Sequence, residues 1–397
     1  MTRRTALVTY STRPRGGVVH TLRLAEALLR IGEPVEIVAL GDPAKGWFTG
    51  VDVPYTIVPA PPWLPTLEER VFAAVDTLAD ALRESVSSYR ILHTQDCISA
   101  RAAARVRAEG APVAVLRTVH HIDDFHTEAL VDCQRQAVLE PDEVLVVSRF
   151  WQQVLAHDYG VTATVVSNGV DADRFARPPS AALHTRLRAR VGAIDRPLIL
   201  AVGGIEPRKG SIELIEALAM LCDELRPNPV LAIIGGQSFQ DHRAYRDRAL
   251  ARAVELGLVA DRDIVQLGTV DDAELPAWYH TADVLAFPSV SEGWGLVVLE
   301  GLAAGLPAVV TDIPVFREYL TPGAGVLMVP PSAPDELAAA LRAIVTDASL
   351  AAQLSAAGPA VARRYPWSAS AEQHRAIYRR LTQDAPYGFP SDPGLPG

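Results

Sequence analysis

Only three cysteines occur in 397 residues, Cys97, Cys133 and Cys222, an odd number set far apart. This excludes a disulfide framework and a Cys-based zinc site and fits a reducing compartment. Long apolar runs are missing too. No stretch approaches the ~18 residues of a spanning helix, and the N-terminus enters a strand-like segment with no apolar targeting region, so the expected location is cytoplasmic. Basic charge is not in excess: the net charge is −10, with 16 Lys/Arg against 21 Asp/Glu in residues 1–171 and 21 against 26 beyond them. That balance argues against nucleic acid as a partner. Two phosphate-binding signatures are absent as well. Lys209-Gly210-Ser211 reverses the Gly-Lys order of a P-loop, and its loop lacks the Gly-x-Gly-x-x-Gly of a dinucleotide oxidoreductase.

What is present suffices for two cores. The chain is 49% hydrophobic and longer than a single core usually grows. β-rich runs at 6–9, 35–40, 91–93, 113–116 and 144–147 alternate with helical patterns such as 18–30, which predicts a parallel sheet covered by helices. The cycle restarts after Asn168-Gly169-Val170-Asp171, with strands expected at 198–202, 230–234, 264–267, 284–287 and 308–310. The expected fold class is α/β, with Rossmann-like domains over 1–171 and 172–364. Residues 172–196 read as a connection containing a short helix. Further helices are expected over 334–345, 350–363 and 367–381, the last forming a C-terminal segment 365–384. The Pro- and Gly-rich tail 385–397 is expected to be disordered.

The segment richest in chemistry is 288–306, where Glu292 and Glu300 lie eight positions apart around a glycine-flanked helix entry. A buried strand, 284–287, leads through an exit loop into a helix whose first amides lack internal partners. Gly293 and Gly295 permit close backbone approach, the helix dipole favours an anion, and carboxylates accept hydrogen bonds from hydroxyls. Phosphate together with hydroxyls suggests a nucleotide sugar. The pattern Glu-Gly-x-Gly-x-x-x-x-Glu, followed by small residues and Gly-Leu-Pro, resembles the donor motif of retaining glycosyltransferases of family 4. Their GT-B architecture sets two Rossmann-like domains facing across a cleft, with the C-terminal helix crossing back to the first domain. The resemblance implies that Glu292 lies against the donor sugar, that Glu300 holds the ribose hydroxyls, and that the backbone from Gly293 through Trp294 and Gly295 to Leu296 meets phosphate. The plainer alternative is a solvated Glu292 and a helix-surface Glu300.

Further segments extend the resemblance. Val202 to Ser211 is similar to the family's Gly-Arg-x-x-x-x-Lys-Gly clamp and assigns Lys209 to the diphosphate. Gly204 departs from it, standing where most members carry an arginine; Arg208 either compensates or is a solvated loop residue. Between the first strand and helix, Gly16 and Gly17 match a Gly-Gly loop that faces donor phosphate and acceptor in the family. Thr118-Val119-His120 resembles Thr-x-His, in which the imidazole touches the transferred sugar. His93-x-x-Asp96 matches another strand-end pattern, with Asp96 either contacting acceptor or capping a helix. From Gly268 to Ser289 the family order continues through Glu274, Tyr279 and Asp283. His120, His121, Asp123, Asp124 and His126 also form a candidate metal cluster, although their spacing matches no established zinc pattern. The resemblance implies no cofactor and no divalent metal.

The expected function is retaining transfer of a hexosyl or pentosyl unit from a nucleotide-diphosphate sugar to a small or lipid-linked acceptor, by metal-independent front-face substitution. No carboxylate is obviously poised on the opposite sugar face, so double displacement is poorly supported. In this scheme Lys209, Arg208 and the amides 293–296 stabilise the leaving diphosphate while Glu292 and His120 orient the sugar. The alternatives are a degenerate nucleotide-sugar-binding protein without transferase activity, motivated by Gly204, and a sugar phosphorylase or epimerase on the same fold. Arg3, Arg4, Arg13, Arg15, Arg23 and Arg30 face only Glu26 within the first 30 residues. Arg13 and Arg15, inside the loop, suggest an anionic acceptor or, more weakly in an acidic chain, peripheral membrane contact.

Overall fold

The computed structural model describes residues 3–236 and 240–384; the tail expected to be disordered lies outside the described residues. The chain divides into two units. One holds residues up to Gly169 together with a helix starting at Trp367, and the other is Val170–Pro366. The crossings thus fall at Gly169/Val170 and Pro366/Trp367, where the sequence places them after 171 and 364.

The first unit runs β1 (Arg4–Thr9), α1 (Gly16–Arg30), β2 (Val35–Gly41), β3 (Tyr55–Pro59), α2 (Leu67–Ser85), β4 (Tyr89–Thr94), α3 (Cys97–Ala108), β5 (Ala114–Val119), α4 (Glu128–Leu139), β6 (Glu143–Val146), α5 (Arg149–Tyr159) and β7 (Thr164–Val165). Its parallel sheet has the order β3-β2-β1-β4-β5-β6-β7. The inner strands are covered on both faces, so they read as unbroken apolar runs: Thr5 to Thr9 of β1 are all buried. Helix starts are set locally. Thr66 and Glu69 close a capping box on α2, and Ser148 accepts from Trp151 N–H at the start of α5.

The second unit runs α6 (Ala172–Phe175), α7 (Ala181–Arg190), β8 (Leu198–Val202), a 3₁₀ turn Pro207–Lys209, α8 (Ser211–Glu224), β9 (Val230–Ile234), α9 (Arg243–Glu255), β10 (Ile264–Gly268), α10 (Leu275–Thr281), β11 (Val284–Phe287), α11 (Leu296–Ala303), β12 (Ala308–Thr311), α12 (Pro314–Arg317), β13 (Val326–Val329), α13 (Pro334–Thr346) and α14 (Ala348–Ala362). Its sheet, also parallel, is ordered β10-β9-β8-β11-β12-β13. Leu214, Ile215 and Leu218 of α8 pack with Leu231 and Ile233 of β9 in its core, each such burial worth roughly 1.5–3 kcal/mol before entropy is counted. The final helix, α15 (Trp367–Asp384), packs against α1 and so belongs to the first unit.

The sequence reading omits three strands. β3 is an edge strand with one buried residue of five and a terminal proline, β7 has two residues, and β13 is a four-residue run after Gly325. Each is too short or too exposed for a period-2 signal. Among the described residues no single helix is long and apolar enough to cross a membrane.

Strand order reverses twice, between β1 and β4 and between β8 and β11. In parallel sheets the crevice outside the carboxyl ends at such a reversal is where ligands bind. The loops there are 10–15 and 95–96 in the first unit, and 203–210 and 288–295 in the second.

Candidate active site

In the second unit, β8 hands the chain to Gly203-Gly204, and the 3₁₀ turn ends at Gly210, left-handed at φ 62° and the N-cap of α8. A Cβ on Gly210 would lie 2.2 Å from the Pro288 carbonyl oxygen, so only glycine lets this turn close on the loop after β11. The closure brings together residues 83 positions apart. Lys209 Nζ donates to Glu292 Oε1 at 2.6 Å, and Arg208 Nη1 donates to the same oxygen at 3.1 Å. Arg208 Nε also lies 3.3 Å from Glu206 Oε2, and the Lys209 ammonium sits 4.4 Å from the centre of the Phe287 ring. Glu292, expected against the sugar, is 8% exposed and acts here as counter-ion to both cations. Burial pushes its carboxyl up, but Lys209 and Arg208 outweigh that and hold it below the usual range. Burial likewise lowers the Lys209 ammonium, against the opposing pull of Glu292.

Gly204 has φ 76°, and a Cβ there would stand 2.9 Å from the Gly236 carbonyl oxygen. The position that carries arginine in the resembled family is therefore closed to side chains, while Arg208 reaches the Glu292 carboxylate, which it shares with Lys209, from the 3₁₀ turn. Gly204→Arg is accordingly expected to destabilise by about 1–2 kcal/mol from the backbone alone, with no gain in diphosphate affinity. Calorimetry of the variant with a nucleoside diphosphate checks this; tighter binding at unchanged melting temperature would contradict it.

At the other side of the loop, Gly295 N-caps α11 with φ 90°, and a Cβ would meet Phe316 Cε1 at 2.7 Å. No side chain caps α11, so its first amides have no side-chain acceptor. Glu300 is oriented from α10, since the buried Tyr279 hydroxyl donates to Oε2 at 2.8 Å. Trp294 can serve such a site through its backbone alone. Its ring is buried, stacked on Tyr319 at 4.5 Å and edge-on to Tyr365, so its side chain is a packing element and only its backbone faces the loop. Glu300→Gln is expected to weaken a nucleoside diphosphate and the intact donor alike, by about 0.5–1.5 kcal/mol for the lost hydroxyl contact. Isothermal titration with both ligands checks this; affinity unchanged for both removes Glu300 from the ribose.

In the first unit, Asp96 takes the capping alternative. Its side chain caps α3 by accepting from Ser99 N–H at 2.8 Å and takes the Tyr10 N–H at 3.0 Å, so both oxygens serve the local fold and leave the acceptor role without support. Arg15 is drawn onto Tyr10, donating to its hydroxyl at 2.7 Å, whereas Arg13 is exposed. Most of the remaining early arginines have other tasks: Arg4 pairs with Glu36, and Arg23 and Arg30 with Glu26. Gly16 and Gly17 open α1, whose N-cap Arg15 makes no side-chain cap. A Cβ on Gly17 would come 3.3 Å from His120 Cδ2, so this glycine makes room for the imidazole. His120 Nε2 lies 3.1 Å from Gln95 Oε1, and burial draws its pKa down to about 3, so it is neutral near pH 7. A neutral ring suits hydrogen bonding to a sugar hydroxyl, not charge stabilisation. His121 and Asp123 approach to 3.3 Å, but among the described residues no three His, Cys, Asp or Glu side chains converge as a metal site.

Sequence reasoning left out His20, Gln95 and the Tyr279 hydroxyl. His20 and Gln95 carry no pattern of their own, because a single polar residue inside an apolar segment looks like a core residue. Tyr279 stands in the family order, but only the packing of α10 on α11 reveals its bond to Glu300.

Comparison with known proteins identifies the family and the fold. The family profile "Glycosyl transferases group 1" matches residues 185–361, and "Glycosyltransferase Family 4" matches 14–174. A D-inositol 3-phosphate glycosyltransferase from Xylanimonas cellulosilytica is 31% identical over 94% of this chain and 93% of its own. A phosphatidyl-myo-inositol mannosyltransferase from Mycobacterium leprae is 30% identical over 94% and 95%. Among solved structures, a sucrose-phosphate synthase from Thermosynechococcus elongatus superposes with TM-score 0.79 at 22% identity, covering 96% of this chain and all of its own. Anabaena HepE in complex with UDP-glucose gives 0.78 at 18% identity, covering 95% and 100%.

Proposed function

The chain belongs to the glycosyl transferases group 1 family and is a glycosyltransferase, and we propose that it moves a hexosyl or pentosyl unit from a nucleotide-diphosphate sugar to its acceptor with retention of configuration. The observation that carries this reading is the convergence of Lys209 and Arg208 on one carboxylate at a strand-order reversal, beside the uncapped start of α11 and the Tyr279-held Glu300. A diphosphate brings more negative charge than the Glu292 carboxylate and takes over both cations. Glu292, released from Lys209, then accepts hydrogen bonds from the sugar hydroxyls. As the bond between the anomeric carbon and the diphosphate oxygen breaks, Lys209, Arg208 and the α11 amides stabilise the charge that builds on the leaving group. The acceptor oxygen bonds the same face of the anomeric carbon, and its proton passes to the departing phosphate oxygen. Because basic side chains and a helix start meet the leaving charge, no divalent metal takes part.

The relatives are named for D-inositol 3-phosphate and phosphatidyl-myo-inositol, phosphorylated cyclic polyols, one free and one lipid-linked. We assign the same chemical class here, and the exposed Arg13 is the loop residue suited to the phosphate. Incubation with UDP-, GDP- and ADP-sugars and inositol phosphates, with product anomers read by NMR, tests the whole scheme. The expected result is a retained anomeric configuration and full activity in EDTA. An inverted product overturns the front-face route, and activity lost in chelator and restored by magnesium or zinc overturns the metal-free one.

A further inference from the structure

We propose that His20 is a positioning residue for His120, tying the candidate catalytic imidazole to the two points at which the chain leaves and re-enters the first unit; this rests on the function proposed above. His20 is fully buried on α1. Its ring stands edge-on to His120, centroids 4.6 Å apart and planes at 69°, and edge-on to Trp367, the first residue of α15, at 5.5 Å. Its Nδ1 lies 2.8 Å from Asn168 Oδ1, one residue before the outgoing crossing. With Oδ1 as acceptor, Nδ1 carries the proton and Nε2 the lone pair, and Nε2 has no hydrogen-bond partner among the described residues. Two rigid contacts therefore fix the plane and tautomer of His20, and His20 in turn packs edge-on against His120, whose Nε2 lies at hydrogen-bond distance from Gln95.

The crossing itself is tightly built. A Cβ on Gly169 would lie 2.5 Å from Trp367 Cα, so the outgoing and incoming segments touch backbone to backbone where Asn168 and Trp367 grip the imidazole. The other titratable groups facing His20 are His374 of α15, 6.2 Å away, and His93 of β4. Burial, then the neighbouring His120, His374 and His93, hold His20 neutral against the Asn168 bond that favours its charged form. Among the described residues no carboxylate is one of the main influences on its charge. A positive charge at His20 would stand 4.6 Å from His120 and would reorient that ring and its hydrogen bond.

Asn168→Asp creates that charge, since a carboxylate on Nδ1 favours the protonated ring. His20→Phe keeps the aromatic wall and removes the Nδ1 bond. Both variants and the wild type are labelled at imidazole nitrogen, and the His120 signals are followed from pH 5 to 8 alongside kcat and donor KM. The expected outcome for Asn168→Asp is a second titration step in the His120 shifts, a matching acid limb in kcat, and an unchanged donor KM. For His20→Phe, kcat falls roughly 10- to 100-fold, the range for a misplaced catalytic contact. A change in melting temperature alone, with His120 shifts and the kcat profile as in the wild type, overturns the inference. Coupled His120 shifts in Asn168→Asp, beside a wild type that transfers no sugar, would instead overturn the functional reading while leaving the positioning role intact.

Discussion

Replacing Lys209 with alanine is expected to lower kcat by about 10²- to 10³-fold, equivalent to about 2.7–4 kcal/mol of lost transition-state stabilisation. The loss has two physical components. The leaving diphosphate forfeits a charge-assisted hydrogen bond in a largely desolvated loop. The variant also leaves Glu292 buried with Arg208 as its remaining cationic partner, a half-compensated carboxylate that costs stability. The two effects separate in the double variant. Adding Glu292→Gln to Lys209→Ala should return much of the melting temperature, because the buried charge is gone, without returning turnover. Steady-state kinetics with a saturating donor, paired with thermal denaturation, reads both. Turnover within about threefold of wild type in Lys209→Ala would be far below the effect of an electrostatic clamp and would remove Lys209 from the chemistry.

The second large effect is on stability. His20, His93 and His374 are fully buried in the first unit, and burial, the main cause in each case, holds all three below the ordinary imidazole value, His374 down to about 4. His93 is satisfied as a neutral ring, Nδ1 lying 2.7 Å from the Tyr378 hydroxyl and Nε2 2.7 Å from Thr118 Oγ1. In the unfolded chain these rings titrate near 6.5, so below that pH the unfolded state binds more protons than the folded one. The stability they contribute is complete above about pH 6.5 and is lost progressively as pH falls towards 4 and lower. Each ring supplies about 1.4 kcal/mol per pH unit, so near pH 5 the three together give a slope of about 4 kcal/mol per unit. The partly exposed His120 adds less than its own shift suggests. Against a typical domain stability of about 5–15 kcal/mol, that slope unfolds the first unit between neutrality and about pH 4. Urea denaturation at several pH values measures it directly. A stability that is level from pH 7 to 5 would mean that these rings are charged or solvated in the folded chain.

Much of this is legible in the sequence. The strands at 198–202, 230–234 and 284–287 stand where the apolar runs place them, because strands covered on both faces leave an unbroken signal. The glycine-flanked helix start and the Lys209 loop are legible for a different reason: left-handed glycines and uncapped amides are local backbone facts that the sequence carries outright. Long-range choices were not legible. That Glu292 pairs with Lys209, that Asp96 spends both oxygens on α3 and Tyr10, and that Trp294 turns into an aromatic stack each depend on which loop lies beside which. A carboxylate next to glycine looks the same in sequence whether it meets a sugar or a lysine. His20 was hidden most completely, for its partners Asn168 and Trp367 lie 148 and 347 positions away along the chain.

The backbone contact of Gly169 with Trp367 has a topological meaning. Val170 bridges Pro366 in parallel, and Val170 N–H donates to the Tyr365 carbonyl at 2.8 Å, so the outgoing and incoming segments run side by side. In covalent terms the second unit is an insertion: a loop of nearly two hundred residues whose ends are pinned together at its neck. Closing so long a loop costs only slightly more entropy than closing a short one. Gly169 and Trp367 already lie backbone to backbone, so a linker of a few residues between them could still deliver α15 to its place on α1.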